Sequence, residues 1–385
     1  MNDLKETKTS NLSPLLEVYA QYPFELERGE GIYVYDTNGK RYLDFYGGHA
    51  VSLLGHSPRQ VLDAIKTAGE KLMFYSNLAR IPIREKAAAM LLDFADARRH
   101  QVFFCNSGGE ANENALKVAI KNTGRSKIAS FVGSFHGRTL LAIAATDKPA
   151  WHDYLRERIG EVVRLKPNNA DDLKTIDDKT AAVILEPIQS IGGVTEFDRD
   201  FLKALRERCD QVGAYLIFDE VQTGMGRTGI PFVSRFSGVS PDMTTLAKGL
   251  AAGFPIGALI MAEHVSGKLK VGDLGATFGG GPMAMAAMMA TIESIKEQDL
   301  VQNARKIGDY VREVFAIKEV AEVRGRGCLL GLKLHREAKP VQQDLFKQGI
   351  IVGLCSDPQI VHLLPPLTTE KEHVDALKAA LLKVL

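Results

Sequence analysis

Lys248 and Asp219 place an amine and a carboxylate beside apolar runs, in TTLAKGLAAGFPIGA (244 to 258) and AYLIFDE (214 to 220). A lysine condenses with an aldehyde only as the free amine, so its pKa must be lowered by an apolar pocket or neighbouring positive charge. Leu246, Ala247, Gly249 and Leu250 offer such surroundings. A carboxylate such as Asp219 can hold a proton on a pyridine-type nitrogen, which turns that ring into an electron sink for an adjacent carbanion. Each residue also has an ordinary reading. A lysine beside glycine is a common helix-end cation, and Asp219-Glu220 suits the polar carboxyl edge of a parallel strand, the edge where open α/β sheets bind ligands.

Two further segments could complete such a site. The apolar VFFC (102 to 105) leads into Asn106-Ser107-Gly108-Gly109-Glu110 and then a strong helical pattern, ALKVAIK. Small residues at a helix mouth let backbone N–H groups approach an anion, which the helix dipole favours. Ser107-x-x-Glu110 is equally a capping box that needs no ligand, and the strand-to-helix context favours phosphate. After KIASF (127 to 131) comes Ser134-Phe135-His136-Gly137-Arg138-Thr139, where Phe135 could lie on a planar ring and Arg138 could grip a carboxylate bidentately. The alternatives are a core Phe and a surface Arg, and His136 is either a satisfied loop histidine or a supporting donor. An aldehyde, a basic ring nitrogen and a phosphate are together the chemistry of pyridoxal 5′-phosphate.

The elements that must position these residues read as an α/β chain. Short apolar strands at VFF (102 to 104), KIASF, AAVILE (181 to 186) and AYLIFDE alternate with helical segments, which predicts a mainly parallel, doubly wound sheet. The first 45 residues read as a helix with strand pieces, including a hairpin turning at Asn38-Gly39. A long helical pattern spans residues 283 to 316, followed by strands near CLLGLKL (328 to 334) and IIVGLC (350 to 355). At 385 residues, two domains are expected: residues 56–280 as a large domain, with 1–55 and 281–385 contributing to a smaller α+β one. The formal charge of +1 and the lack of a basic block argue against a nucleic-acid surface. Four scattered cysteines lack metal or disulfide spacing, and the longest apolar stretch, Met283 to Ile292, is too short to span a bilayer. Residues 1 to 19 lack a signal-peptide core, so a cytoplasmic protein without membrane or metal is expected.

NSGGEANENALK, SFHGRT, EPIQ (186 to 189), DEVQTGMGRTG, PDMTTLAKGLAAGFPIGA, ATFGGGPMA (276 to 284) and VRGRGCLLGL (323 to 332) follow one another in an order that resembles class III aminotransferases of fold type I, within them the acetylornithine aminotransferase branch. The resemblance covers nearly the whole chain. It implies that Lys248 holds pyridoxal phosphate covalently and moves the substrate proton, while Asp219 pairs with the ring nitrogen. It further implies Val221 and Phe135 on the two ring faces, Gln222 at the ring hydroxyl, and Ser107, Gly108 and Gly109 at the phosphate. Thr277 would assist there from the neighbouring subunit, which requires a homodimer. Glu186 would be a near-site carboxylate or a structural one, and Arg138 would bind the α-carboxylate of the donor. The implied reaction is ping-pong transfer of the terminal amine of N-acetylornithine, or a related acylated diamino acid, to a 2-oxo acid, usually 2-oxoglutarate. Another ω-aminotransferase specificity, for 4-aminobutyrate, lysine, ornithine or succinylornithine, uses the same cofactor motifs. A racemase, a decarboxylase or an inert binder of the cofactor fits the motif set less well.

Three positions depart from the pattern. Ile191 stands where the branch carries a glutamate, His362 where it carries the arginine that pairs with it, and Gly281 replaces an asparagine. The first two imply that the acceptor is handled differently, through His362, through another arginine such as Arg80, or by preference for another oxo acid.

Overall fold

The computed structural model describes residues 15 to 385, apart from 17, 20 and 156–159. Its centre is a seven-stranded sheet, in spatial order Gln101–Cys105, Gly257–Met261, Met243–Leu246, Tyr215–Asp219, Thr180–Leu185, Lys127–Phe131 and Val162–Leu165. All neighbours are parallel except at Gly257–Met261, which runs antiparallel to both of its partners. Thr180–Leu185, Tyr215–Asp219 and Gly257–Met261 are buried at every position. Burial on both faces is why these segments read as continuous apolar runs, without the alternation of a half-exposed strand. Helices Gly108–Thr123 and Arg199–Val212 end at Gly124 and Gly213, both at φ 69°, the left-handed geometry that a Cβ would strain.

The chain's two ends meet. The hairpin appears as Tyr33–Asp36 against Arg41–Asp44, with Gly39 at φ 78° and the Asp36 carboxylate accepting the N–H groups of Asn38 and Lys40. No helix precedes it among the described residues, and residues 1 to 14, where the rest of that expectation falls, lie outside them. IIVGLC divides between two sheets: Ile350–Ile351 runs parallel to Leu43–Asp44, whereas Gly353–Leu354 joins Val361–His362 beside Leu329–Leu334. The helical pattern of residues 283 to 316 is two helices, Pro282–Glu297 and Leu300–Val314. Their break is Asp299, whose left-handed φ of 50° no helix interior accommodates. The first of the two packs on helices Arg59–Lys71 and Pro82–Phe94. Among the described residues no helix is long and apolar enough to cross a membrane, and no cluster of His, Cys, Asp and Glu could hold a metal ion.

Arg227 ties these parts together. It is 1% exposed, and its guanidinium donates to the carbonyls of Cys328, Pro365 and Ala50, which lie far apart in sequence. Burial lowers its pKa to about 10, so it stays charged near neutral pH. Arg227→Met removes the donors and leaves three buried carbonyls without them, a loss of about 3 kcal/mol or more. The urea-unfolding midpoint of the purified variant checks this; a midpoint unchanged from the parent contradicts it.

Candidate active site

The site lies where strands leave the sheet at one edge. Asp219 closes its strand, and Thr245, its register partner on the parallel neighbour, precedes Lys248 by three residues. Cys105 and Leu185 end their strands just before Ser107 and Glu186. These strand ends surround a cavity of about 290 Å³ lined by Ser107, Gly108, Gly109, Phe135, Glu186, Asp219, Val221, Gln222 and Lys248. Its size is near the lower end for small-molecule sites, suited to one substituted ring.

Asp219 is buried, and polar groups reach its carboxylate from three directions. Asn112 Nδ2 and His136 Nδ1 each lie 2.7 Å from its Oδ2, and the Val221 N–H donates to Oδ1 at 3.1 Å. Asn112 is fixed in turn by the Thr245 hydroxyl at 2.6 Å and donates to the His136 carbonyl at 2.7 Å. His136 is therefore a supporting partner of the carboxylate. Asn112 escaped the sequence reading; its signal was an amide aligned with Leu116 and Ala119 on an otherwise apolar, buried helix face.

Lys248 has φ 48°, an uncommon left-handed conformation for a residue with a Cβ and of the kind that collects at functional sites. The residue keeps some solvent access through the cavity. Burial of the amine is nonetheless the main cause that lowers its pKa to about 8; Arg227 adds to this, and Glu186 and Asp219 oppose it. Burial likewise raises Glu186, to about 7. Glu186 accepts the Phe135 N–H at 2.9 Å and the Ser190 N–H at 3.4 Å, which pins the loop bearing Phe135 to the cavity wall.

At the other end, Ser107 caps helix Gly108–Thr123 by accepting the Glu110 N–H at 3.2 Å. The return half of a capping box is absent, because the Glu110 carboxylate reaches Asn106. Among the described residues, the Gly108 and Gly109 N–H groups donate to no protein acceptor. A Cβ on Gly108 would stand 2.9 Å from a Val221 methyl, and one on Gly137 would stand 2.8 Å from the Gly109 backbone. Open donors on a positive helix end, with no room for a side chain at Gly108 or Gly137, form an anion cradle. Amine, carboxylate, apolar walls and cradle fit an aromatic aldehyde with a basic ring nitrogen and a phosphate.

Two expected residues stand outside this cavity. Arg138 is exposed, its guanidinium 5.5 Å from the Tyr19 ring centroid and 4.3 Å from that of Trp151, and among the described residues it has no carboxylate partner. Thr277 lies on an exposed loop that does not reach the cavity of its own chain. Of the departures, Ile191 is half-buried, and Gly281 caps helix Pro282–Glu297. His362 is 1% exposed, and burial, followed by the positive charges of Lys248, Arg227 and His49, lowers its pKa to about 3. It is neutral at working pH and cannot serve as the missing cation. Arg80 is exposed, ion-paired with Glu85 at 2.8 Å, and does not line the cavity.

The family model for aminotransferase class III matches residues 17–385. The chain is 40% identical to the acetylornithine aminotransferase of Methanocaldococcus jannaschii, covering 95% of this chain and 94% of that protein. It is 36% identical to a [LysW]-aminoadipate semialdehyde/glutamate semialdehyde transaminase of Sulfurisphaera tokodaii, covering 95% and 96%. Among solved structures it resembles an ornithine aminotransferase from Toxoplasma gondii with pyridoxal phosphate at partial occupancy in its active site, with TM-score 0.89 and 27% identity over 96% of this chain and 92% of that one. With a mostly parallel sheet whose carboxyl edge carries the lysine, the carboxylate and the anion cradle, this chain belongs to the class III aminotransferases, pyridoxal phosphate-dependent enzymes of fold type I.

Proposed function

We propose that this enzyme transfers the terminal amino group of N-acetylornithine, or of a related acylated diamino acid, to a 2-oxo acid, usually 2-oxoglutarate, in arginine-type amino-acid biosynthesis. The observation that carries this reading is Arg138: a guanidinium without a carboxylate partner among the described residues, steadied by two aromatic rings outside an amine-bearing cavity. A donor whose carboxylate rests on Arg138 extends its far end, the terminal amine, toward Lys248. The relatives named acetylornithine aminotransferase support the same choice.

When bound, pyridoxal phosphate supplies an aldehyde carbon and an electron-withdrawing ring. Ser107, Gly108 and Gly109 hold its phosphate, Asp219 keeps a proton on its ring nitrogen, and Phe135 and Val221 confine the ring. Gln222 meets its ring oxygen. Lys248, its pKa lowered by burial, moves the proton from the donor carbon; Glu186 fixes the loop that carries Phe135. Arg138→Gln is expected to raise KM for the donor about 10- to 100-fold while largely sparing kcat, as loss of a charge-assisted carboxylate contact requires. Steady-state kinetics with N-acetylornithine checks it, and an unchanged KM contradicts the assignment.

Thr277 completes the phosphate site of a second copy in this reading, so the active species is a homodimer. Support comes from the exposed apolar side chains Leu72, Met73, Phe74, Tyr75 and Leu78 near Phe278, whose ring lies 5.2 Å from that of Phe74. We further propose residues 56–280 as the large domain, with 1–55 and 281–385 forming the smaller one. The first half-reaction rate compared across N-acetylornithine, N-succinylornithine, ornithine, lysine and 4-aminobutyrate tests the donor; a preference for 4-aminobutyrate overturns it. One observation favours a second reading with a different acceptor: neither Ile191 nor the neutral His362 supplies charge for an acceptor carboxylate. Rapid, saturable reaction of the aminated enzyme with low concentrations of 2-oxoglutarate excludes that second reading.

A further inference from the structure

His362 has no role in the scheme above, and it is placed where it can act on the cofactor indirectly. It does not line the cavity. Its Nε2 is 3.1 Å from the Ser190 hydroxyl, which donates at 2.7 Å to Oε1 of Gln222, a residue that does line the cavity. Ser190 is fully buried, and Gln222 is 9% exposed. Buried polar groups in such a line are fixed by proton count, since each must be satisfied internally.

A serine hydroxyl has a single proton. Donated to Gln222 Oε1, it leaves the Ser190 oxygen to accept from His362 when the ring carries its proton on Nε2, so the two bonds run in one direction. The Gln222 amide then has its oxygen engaged and its NH₂ free to face the cavity. We propose that His362 is a positioning residue: through Ser190 it locks the Gln222 amide so that an N–H, and not the carbonyl, is offered to the ring oxygen of bound pyridoxal phosphate. This rests on the reading that Gln222 meets that oxygen.

The arrangement requires an uncharged ring with a single N–H. The charged or titratable groups around His362 are Lys248, Arg227 and His49, all basic, with Tyr46 edge-on to its ring at 6.3 Å. None of these can stabilise an imidazolium; the Leu354 backbone beside the ring is the influence that favours one, and burial outweighs it. Freed from Ser190, the amide could rotate and set its carbonyl against the ring oxygen, two acceptors in contact. A donor at that oxygen favours its more negative state, so losing the donor raises the pH at which the bound cofactor gives up its proton.

The test is the pH titration of the visible absorbance of the bound cofactor in the purified holoenzyme, for the parent, His362→Phe, His362→Gln, Ser190→Ala and Gln222→Leu. His362→Phe and Ser190→Ala should each raise the midpoint by about 1 pH unit, and the double variant by no more than either alone. His362→Gln, which can return an N–H near the Nε2 position, should restore most of the parent midpoint. A Gln222→Leu shift with unmoved midpoints in His362→Phe and Ser190→Ala overturns the relay and keeps Gln222 in place. An unmoved midpoint in Gln222→Leu overturns the Gln222 reading itself, and the relay with it. Ser190→Ala decides the matter if His362→Phe does not fold.

Discussion

Lys248→Ala is expected to lower turnover by about 10⁴-fold or more, because one side chain supplies both the attachment point of the cofactor and the base that moves the substrate proton. Among the described residues no other amine lines the cavity to substitute for it. Glu186, the remaining base near the proton, bonds the Phe135 and Ser190 backbone. The loss should come without loss of fold. Lys248 has a folded-state pKa of about 8 against an ordinary 10.5, so its charged amine is penalised in the folded apoprotein. That penalty is complete below about pH 8 and fades as pH rises towards 10.5. Removing the amine at pH 7 relieves it and offsets the packing lost. Steady-state assay together with urea unfolding of the apoprotein checks both parts. Turnover near the parent value defeats the assignment, and a large drop in the unfolding midpoint shows Lys248 to be a structural residue.

Asp219→Asn should cost about 10²- to 10³-fold in kcat, the scale for removing one preorganised electrostatic group from an enclosed site. The amide nearly matches the carboxylate in shape but cannot hold a proton on a ring nitrogen. It also places an NH₂ group near Asn112 Nδ2 and His136 Nδ1, which now converge on one carboxylate oxygen at 2.7 Å. Cofactor affinity should therefore weaken along with kcat, whereas Arg138→Gln should leave the cofactor in place. Comparing kcat with the cofactor dissociation constant of each variant separates the two. A normal kcat in Asp219→Asn at saturating cofactor would remove the ring-nitrogen role.

Much of this protein was legible along the chain. Lys127–Phe131 and Tyr215–Asp219 announced themselves because a strand buried on both faces needs an unbroken apolar run, and the turn at Asn38-Gly39 because few residues accept positive φ. The break at Asp299 was not legible, because the apolar spacing continues across it. IIVGLC gave no sign of dividing between two sheets, since one half pairs with a strand some three hundred residues earlier and the other with one fewer than ten residues later. Asn112 was passed over for the same reason: its meaning lies in Asp219, Thr245 and His136, all distant in sequence.

Residue type and local spacing by themselves determined what this chain can carry: an amine after an apolar strand, a carboxylate at a strand end, and a side-chain-free turn before a helix. Those are properties of short segments, set by the backbone and by nearest neighbours. Tertiary structure alone decided their electrical state. Burial lowers the pKa of the Lys248 amine, burial beside basic groups keeps His362 neutral, and polar groups from distant segments converge on the Asp219 carboxylate. Arg138 meets two aromatic rings and, among the described residues, no carboxylate. Charge depends on what lies within a few ångströms in every direction, and only the folded chain supplies those neighbours.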